Sequence, residues 1–154
     1  MTEDQNLLSA LAKTVFRLNG QFLAIGEELA RPAALTASSW LLLSTVLGAG
    51  RTVADIARDI GVTRQSAQRT ADLLVADGHA EYRPNPAHRR AKLIVATDAG
   101  RAAVRRIGPA HRAYADRFAR EIGRDSAAMA LETLRRLSDA LHRTGMPDRP
   151  EAGR

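Results

Sequence analysis

Apolar residues recur at alternating steps of three and four from Leu8 through Leu11, Val15, Leu18, Phe22 and Ile25 to Leu29. Such spacing holds one stripe along a helix, and over several heptads it has the form of an a/d seam. It predicts a helix from about Asp4 to Ala30, ending before Pro32. A second helix, roughly Thr36 to Leu47, carries Trp40, Leu41, Leu43 and Val46 before the Gly48-Ala-Gly50 break. The pattern then shortens. Val53, Ile56, Ala57 and Ile60 share one helical face, Gly61 ends that helix, and Val62 is expected to plug the corner. Thr63 is a natural N-cap for a helix from Arg64 to about Ala76, with Ala67, Thr70, Ala71 and Leu74 turned inward.

After Gly78 the period changes. His79-Ala-Glu-Tyr-Arg83 and Ala91-Lys-Leu-Ile-Val-Ala-Thr97 have β-compatible composition and flank a turn containing Pro84, Asn85 and Pro86. Beyond it, Thr97 can cap a long helix to about Ile122, with Ala103, Ile107, Ala110, Tyr114 and Phe118 on related faces. Pro109 inside that helix is expected to kink it. A last helix, Ser126 to Arg143, holds Ala130, Leu134, Leu137 and Leu141 in register, and Gly145 and Pro147 mark its end.

The two short helices around Gly61 have the layout of a helix-turn-helix, whose second helix lies in the DNA major groove and reads it from its N-terminal residues. The outer face of that helix offers Gln65, Ser66, Gln68, Arg69 and Asp72. Arg can bond bidentately to guanine, Gln to adenine, and Ser or Thr to several groups. Thr63 and Arg64 would stand near the phosphates at the helix start. Any surface helix also has a polar face, so the next segment of chain carries weight. From residue 83 to 92 the chain holds Arg83, Arg89, Arg90 and Lys92 and no acid, with His88 as a further cation at lower pH. Arginine runs are commonly just solvated loops. A basic hairpin placed directly after a helix-turn-helix, however, can reach phosphates or insert Arg into a narrow minor groove. It reads as a wing.

Residues 36–100 resemble the winged helix-turn-helix core of the MarR regulators, the multiple antibiotic resistance type. The resemblance rests on Thr52-Val-Ala-Asp-Ile-Ala-Arg-Asp-Ile-Gly-Val-Thr63, on Leu73-Leu-Val-Ala-Asp-Gly78, and on Asn85-Pro-Ala-His-Arg-Arg-Ala-Lys-Leu93 leading to Thr97-Asp-Ala-Gly100. Wings of that family typically read Asp-Pro-x-Asp-Arg-Arg before an apolar strand and a Leu-Thr-x-x-Gly helix start. The flanking helices fit too. The resemblance implies an α+β fold, mostly α, with a winged helix-turn-helix core flanked by N- and C-terminal dimerisation helices. It also implies a homodimer on pseudo-palindromic double-stranded DNA, often released by a small ligand. Asn85 and His88 depart from the family by replacing acids that help to orient the wing arginine. Arg89 and Arg90 are then either steadied by polar bonds from Asn85 or more mobile, and Arg89 rather than Arg90 is the expected groove residue.

The expected organisation is one domain over 1–154. Residues 1–34 and 101–145 supply dimerisation helices, 36–98 the DNA-binding region, and 146–154 a polar, frayed tail. The length suits one domain with a real core, and apolar residues at 45% argue against disorder throughout. A net charge of +6 points to a polyanionic partner, though weakly by itself. Its distribution says more. Residues 1–50 hold three Lys/Arg against four acids, whereas 51–92 hold eight against five. No cysteine is present, which excludes disulfides, thiolate metal sites and cysteine redox sensing. The polar, acidic start and the lack of a long apolar run lead to the expectation of a cytoplasmic protein without membrane contact.

Nothing in the sequence suggests catalysis, a cofactor or a metal. His79, His88, His111 and His142 show no metal-ligand spacing, and there is neither a Gly-rich phosphate loop nor a Gly-x-Ser-x-Gly context. For a small-molecule effector, the resemblance places a pocket where the first, second and fifth helices meet the winged region. Trp40, with Phe16 or Arg17 facing it, could line such a pocket, and His111 with Arg112 could hold an acid. A core tryptophan and a surface His-Arg pair are the plainer readings of the same residues. In this family effectors are frequently aromatic acids. The sequence therefore predicts a dimeric sequence-specific regulator, most simply a repressor. A non-specific architectural DNA binder and a winged-helix protein-interaction module are the alternatives.

Overall fold

Threonine opens five of the helices. In the computed structural model, which describes residues 2–145, the hydroxyl oxygens of Thr2, Thr36, Thr52, Thr63 and Thr97 accept from the backbone N–H groups of Gln5, Ser39, Asp55, Ser66 and Gly100, at 3.0–3.2 Å. Each bond satisfies a donor that has no partner within its own helix. At Thr2 the arrangement is reciprocal, because Gln5 Oε1 accepts from the Thr2 N–H at 2.7 Å.

The helices are α1 (Glu3–Ala30), α2 (Ala37–Thr45), α3 (Val53–Ile60), α4 (Arg64–Ala76), α5 (Asp98–Ile122) and α6 (Arg124–Thr144), with a 3-10 turn over Arg31–Ala33. Three strands, β1 (Arg51–Thr52), β2 (Ala80–Arg83) and β3 (Leu93–Ala96), form an antiparallel sheet in the order β1-β3-β2. The β2–β3 register pairs Ala80 with Ala96 and Arg83 with Leu93, so the hairpin carries residues 84–92 at its tip. Strand β1 was not anticipated. Two residues give no periodicity to read, and it exists because Arg51 and Thr52 lie opposite Ile94 and Leu93.

Contacts divide the chain into two units, residues 1–111 and 112 onward, with α5 crossing the boundary. In the first unit α2 packs on α1, α3 and α4, and α4 packs on β2. Leu42, Leu43, Val46, Ile56, Ala71, Leu74, Ile94, Ala103 and Ile107 are all at most 2% exposed and form its centre. Gly61 and Gly78 take the left-handed conformation expected of them, with φ of 72° and 76°. Gly61 lets the Val62 N–H return to the Ala57 carbonyl at 3.1 Å, and Gly78 lets His79 N–H reach Leu74 O at 2.8 Å. Val62 itself is 40% exposed and does not plug the corner, because the buried positions of α3 and α4 already close the pair.

Helix α5 is continuous through Pro109, and Ile107 just before it is buried. In the second unit, the Arg117 guanidinium lies over the Tyr114 ring at 5.3 Å, and α6 has no buried residue. The expected tail, 146–154, lies outside the described residues.

Candidate nucleic-acid interface

Helix α4 is oriented by three inward residues, Ala67, Ala71 and Leu74, each at most 2% exposed. Ala at 67 and 71 lets the helix lie close against α2 and α3. That orientation sends Arg64, Gln65, Ser66 and Arg69 to solvent. Among the described residues, Arg64 and Arg69 form no ion pair, so their donors remain available.

Gln68 is different from its neighbours. It is only half-exposed, and its Nε2 donates to Tyr82 Oη at 2.7 Å and to Asp72 Oδ1 at 3.0 Å. The Tyr82 hydroxyl donates in turn to Asp72 Oδ1 at 2.7 Å. One strand residue and two helix residues thus close a polar triangle that joins α4 to the base of the wing. Its electrostatics agree with the direction of the bonds. Burial, then the bond to Asp72, pushes the Tyr82 phenol up to about 12, while the bonds from Tyr82 and then Gln68 hold the Asp72 carboxyl below its usual value. Sequence reasoning found Gln68 but missed this arrangement.

Between α4, the start of α3 and the wing lies an open cleft of about 290 Å³, lined by Thr52, Val53, Ala54, Arg64, Gln68, Tyr82, Arg90, Ala91 and Lys92. Three of those residues are cations and none is acidic. The structure turns Arg90 toward this cleft with Arg64 and Lys92, while Arg89 is not among the lining residues. Arg89 and His88 are exposed at the tip.

Asn85 shapes the wing by a route other than the one expected. Its Oδ1 accepts from Ala87 N–H at 3.0 Å, and its carbonyl accepts from His88 N–H at 3.2 Å. It builds the turn itself, as an Asx turn does, and no hydrogen bond among the described residues runs from Asn85 to Arg89 or Arg90. Arg83 is also tied. Its Nε donates to Glu81 Oε1 at 2.7 Å, because residues two apart on a strand share a face. The stretch 83–92 lacks acids, yet an acid just outside it takes up one of its four cations.

The residues considered for an effector are only partly brought together. Trp40 is half-buried against the core, and the edge of its ring meets His111 in a T-shaped contact with centroids 5.1 Å apart. Phe16 is 78% exposed and Arg17 is exposed on α1, and Arg112 is exposed on α5. Among the described residues no group of three metal-ligating side chains occurs, and no helix is long and apolar enough to cross a membrane.

Comparison with known proteins gives this geometry a lineage. A model of the MarR family matches residues 35–91, the span from the start of α2 to the wing. An uncharacterized protein of Mycobacterium tuberculosis, Rv2011c, is 37% identical over 134 residues, covering 87% of this chain and 94% of that protein. Among solved structures, a mutant MarR from E. coli complexed with operator DNA superposes with a TM-score of 0.75 at 20% identity, covering 88% of this chain and 99% of that one. The Mycobacterium tuberculosis regulator MOSR in complex with DNA gives 0.71 at 23% identity, covering 84% and 96%. BldR from Sulfolobus solfataricus gives 0.76 at 16% identity, covering 92% and 100%. The cation-lined wing, the capped helix beside it and the long flanking helices are those of a winged helix-turn-helix protein, and by its residues 35–91 this chain belongs to the MarR family.

Proposed function

We propose that this chain is a dimeric, sequence-specific DNA-binding transcriptional regulator that acts as a repressor by occluding promoters at inverted repeats. One observation carries the reading. A Thr63-capped helix presents Gln65, Ser66 and Arg69 to solvent directly beside a wing whose Arg89, Arg90 and Lys92 form no ion pair among the described residues. Base-edge readers thus sit next to phosphate-seeking cations, which is the division of labour that specific duplex binding requires. Two solved structures of similar fold are, by their own descriptions, complexes with DNA. In this reading Gln65, Ser66, Gln68 and Arg69 face bases, Thr63 and Arg64 face phosphates, and the wing adds Asn85, His88, Arg89 and Arg90. Arg83 contributes less, since Glu81 already occupies it.

The apolar stripe of α1 supports the dimer, with Leu8 58%, Val15 42% and Phe22 61% exposed, as do Leu134 and Leu141 of α6. A stripe of that length left in water is costly, and a second copy is the simplest cover. The reading includes release by a small aromatic or acidic effector, for which Trp40 and His111, in edge contact, and the neighbouring Arg112 are the residues to test.

The test is selection of binding sites from a random duplex library, with wild type beside the Gln65→Ala/Arg69→Ala variant. Enrichment of one inverted repeat by wild type alone is expected. Equal recovery by both proteins without a shared motif would replace this reading with a non-specific architectural binder.

A further inference from the structure

The polar triangle on α4 bears on how Gln68 would read a base. A glutamine on a helix surface can turn its amide through half a rotation, because its last torsion is broad and roughly two-fold. Such a side chain offers acceptor and donor in either order. Gln68 has lost that freedom. An ionised carboxylate can only accept, so the Gln68 atom 3.0 Å from Asp72 Oδ1 has to be nitrogen. The Tyr82 proton is committed to the same carboxylate oxygen, which leaves the phenolic oxygen as an acceptor too. Both neighbours therefore demand a donor. Amide planarity then puts Oε1 on the other side of Cδ, and no hydrogen bond within the described residues reaches it.

We propose that Asp72 and Tyr82 are positioning residues that fix the Gln68 amide in one sense, so that the recognition helix offers only an acceptor, and selects a base with an exocyclic amine, at the position Gln68 faces. The proposal rests on the DNA-reading function above and adds to it the origin of selectivity at one site. Adenine presents N7 as an acceptor beside the N6 donor in the major groove, and an unattached glutamine can bond to both, but Gln68 has both Nε2 hydrogens engaged by Asp72 and Tyr82 and presents Oε1 alone. Held so, Gln68 can only accept: it suits the exocyclic amine of adenine or cytosine and is mismatched to the carbonyl oxygens of guanine and thymine. Asp72 sets the sense, and Tyr82 holds it, since a Gln–Asp pair one turn apart on an exposed helix is weak by itself. Because Tyr82 belongs to β2, the wing strand thereby determines what the helix reads without itself touching a base.

The experiment repeats site selection from a random duplex library with full-length wild type, Gln68→Ala, Asp72→Ala and Tyr82→Phe. Wild type should prefer adenine or cytosine over guanine and thymine at a single position of each half-site, and Gln68→Ala should flatten that position. Asp72→Ala should flatten the same position by roughly tenfold in base preference, with a smaller loss for Tyr82→Phe, while every other position keeps its preference. A mere strut between helix and wing would weaken all positions together, and that result overturns the proposal. So do unchanged motifs in both Asp72→Ala and Tyr82→Phe, or an unchanged motif in Gln68→Ala. Should Tyr82→Phe fail to fold, Asp72→Ala decides, since Asp72 is exposed and outside the core. Failure of wild type to recover any motif would remove the DNA-reading function and this inference together, whereas a wild-type motif insensitive to the variants would remove only the inference.

Discussion

Gly100 in the first turn of α5 lies directly against the His79 carbonyl: a Cβ built on Gly100 would overlap that oxygen and stand 3.2 Å from Leu43 Cδ1. The same carbonyl accepts from Thr97 N–H at 3.1 Å, and Thr97 Oγ1 donates to Gly78 O at 2.6 Å. The exit of the wing is thus stitched to the end of α4 at a place with no room for a methyl group. Gly100→Ala should destabilise the fold by about 2–3 kcal/mol, since backbone rather than a flexible side chain would have to move. Chemical denaturation would register this as a lower midpoint with an unchanged slope.

Stability should depend on pH through Tyr82 in a defined direction. Its folded pKa of about 12 lies above the ordinary 10.0, so the protonated phenol favours the folded state. That contribution is complete below pH 10.0 and disappears as pH rises through about 12. Asp72 is shifted the opposite way, so its contribution is present above its ordinary 3.8 and is lost as pH falls through its lowered value. The difference in unfolding midpoint between wild type and Tyr82→Phe should therefore be flat around neutrality. It should shrink in both the strongly alkaline and the strongly acidic range, as followed by circular dichroism.

Arg69 and Arg90 should fail in different ways. Arg69 projects from α4 and Arg90 faces the cleft beside Arg64 and Lys92. Arg69→Ala should weaken the selected site by about 1–3 kcal/mol and leave random duplex nearly unaffected. Arg90→Ala should weaken both alike and reduce the salt slope of binding by roughly one. Fluorescence anisotropy over a salt series separates the two, and equal losses on both duplexes for Arg69→Ala would refute base reading by that residue.

The chain should be dimeric at micromolar concentration, with light scattering giving twice its mass. Leu8 and Val15, 58% and 42% exposed in the single chain, are not needed for its core. Replacing both by Glu should produce monomers with unchanged helix content and much weaker binding to an inverted repeat. A wild-type monomer would contradict the dimer.

Much of this molecule could be read from local signals. Thr63 and Gly61 bracket α4 and α3 because capping and left-handed turns depend on one or two residues. The long helices followed from sustained periodicity, and the start of α5 from Thr97 and Gly100. The illegible features are of two kinds, pairs distant in the chain and close pairs whose partner is chosen by strand or turn geometry. Tyr82 meets Gln68 and Asp72 across 14 and 10 residues only because α4 packs on β2. The wing loses Arg83 to Glu81 because strand geometry, not charge counting, decides which side chains share a face. Asn85 looked like a weakened support for arginines, and its bond to Ala87 shows a residue that makes the turn instead.

The small sheet has one more consequence. Its outer strands are two and four residues long and carry Arg51, Glu81 and Arg83. Edges so short and charged offer a poor template for strand addition, the common route from a β-hairpin to an aggregate. Many copies can thus gather at high local concentration while each exposed hairpin stays chemically unattractive to the hairpins of its neighbours.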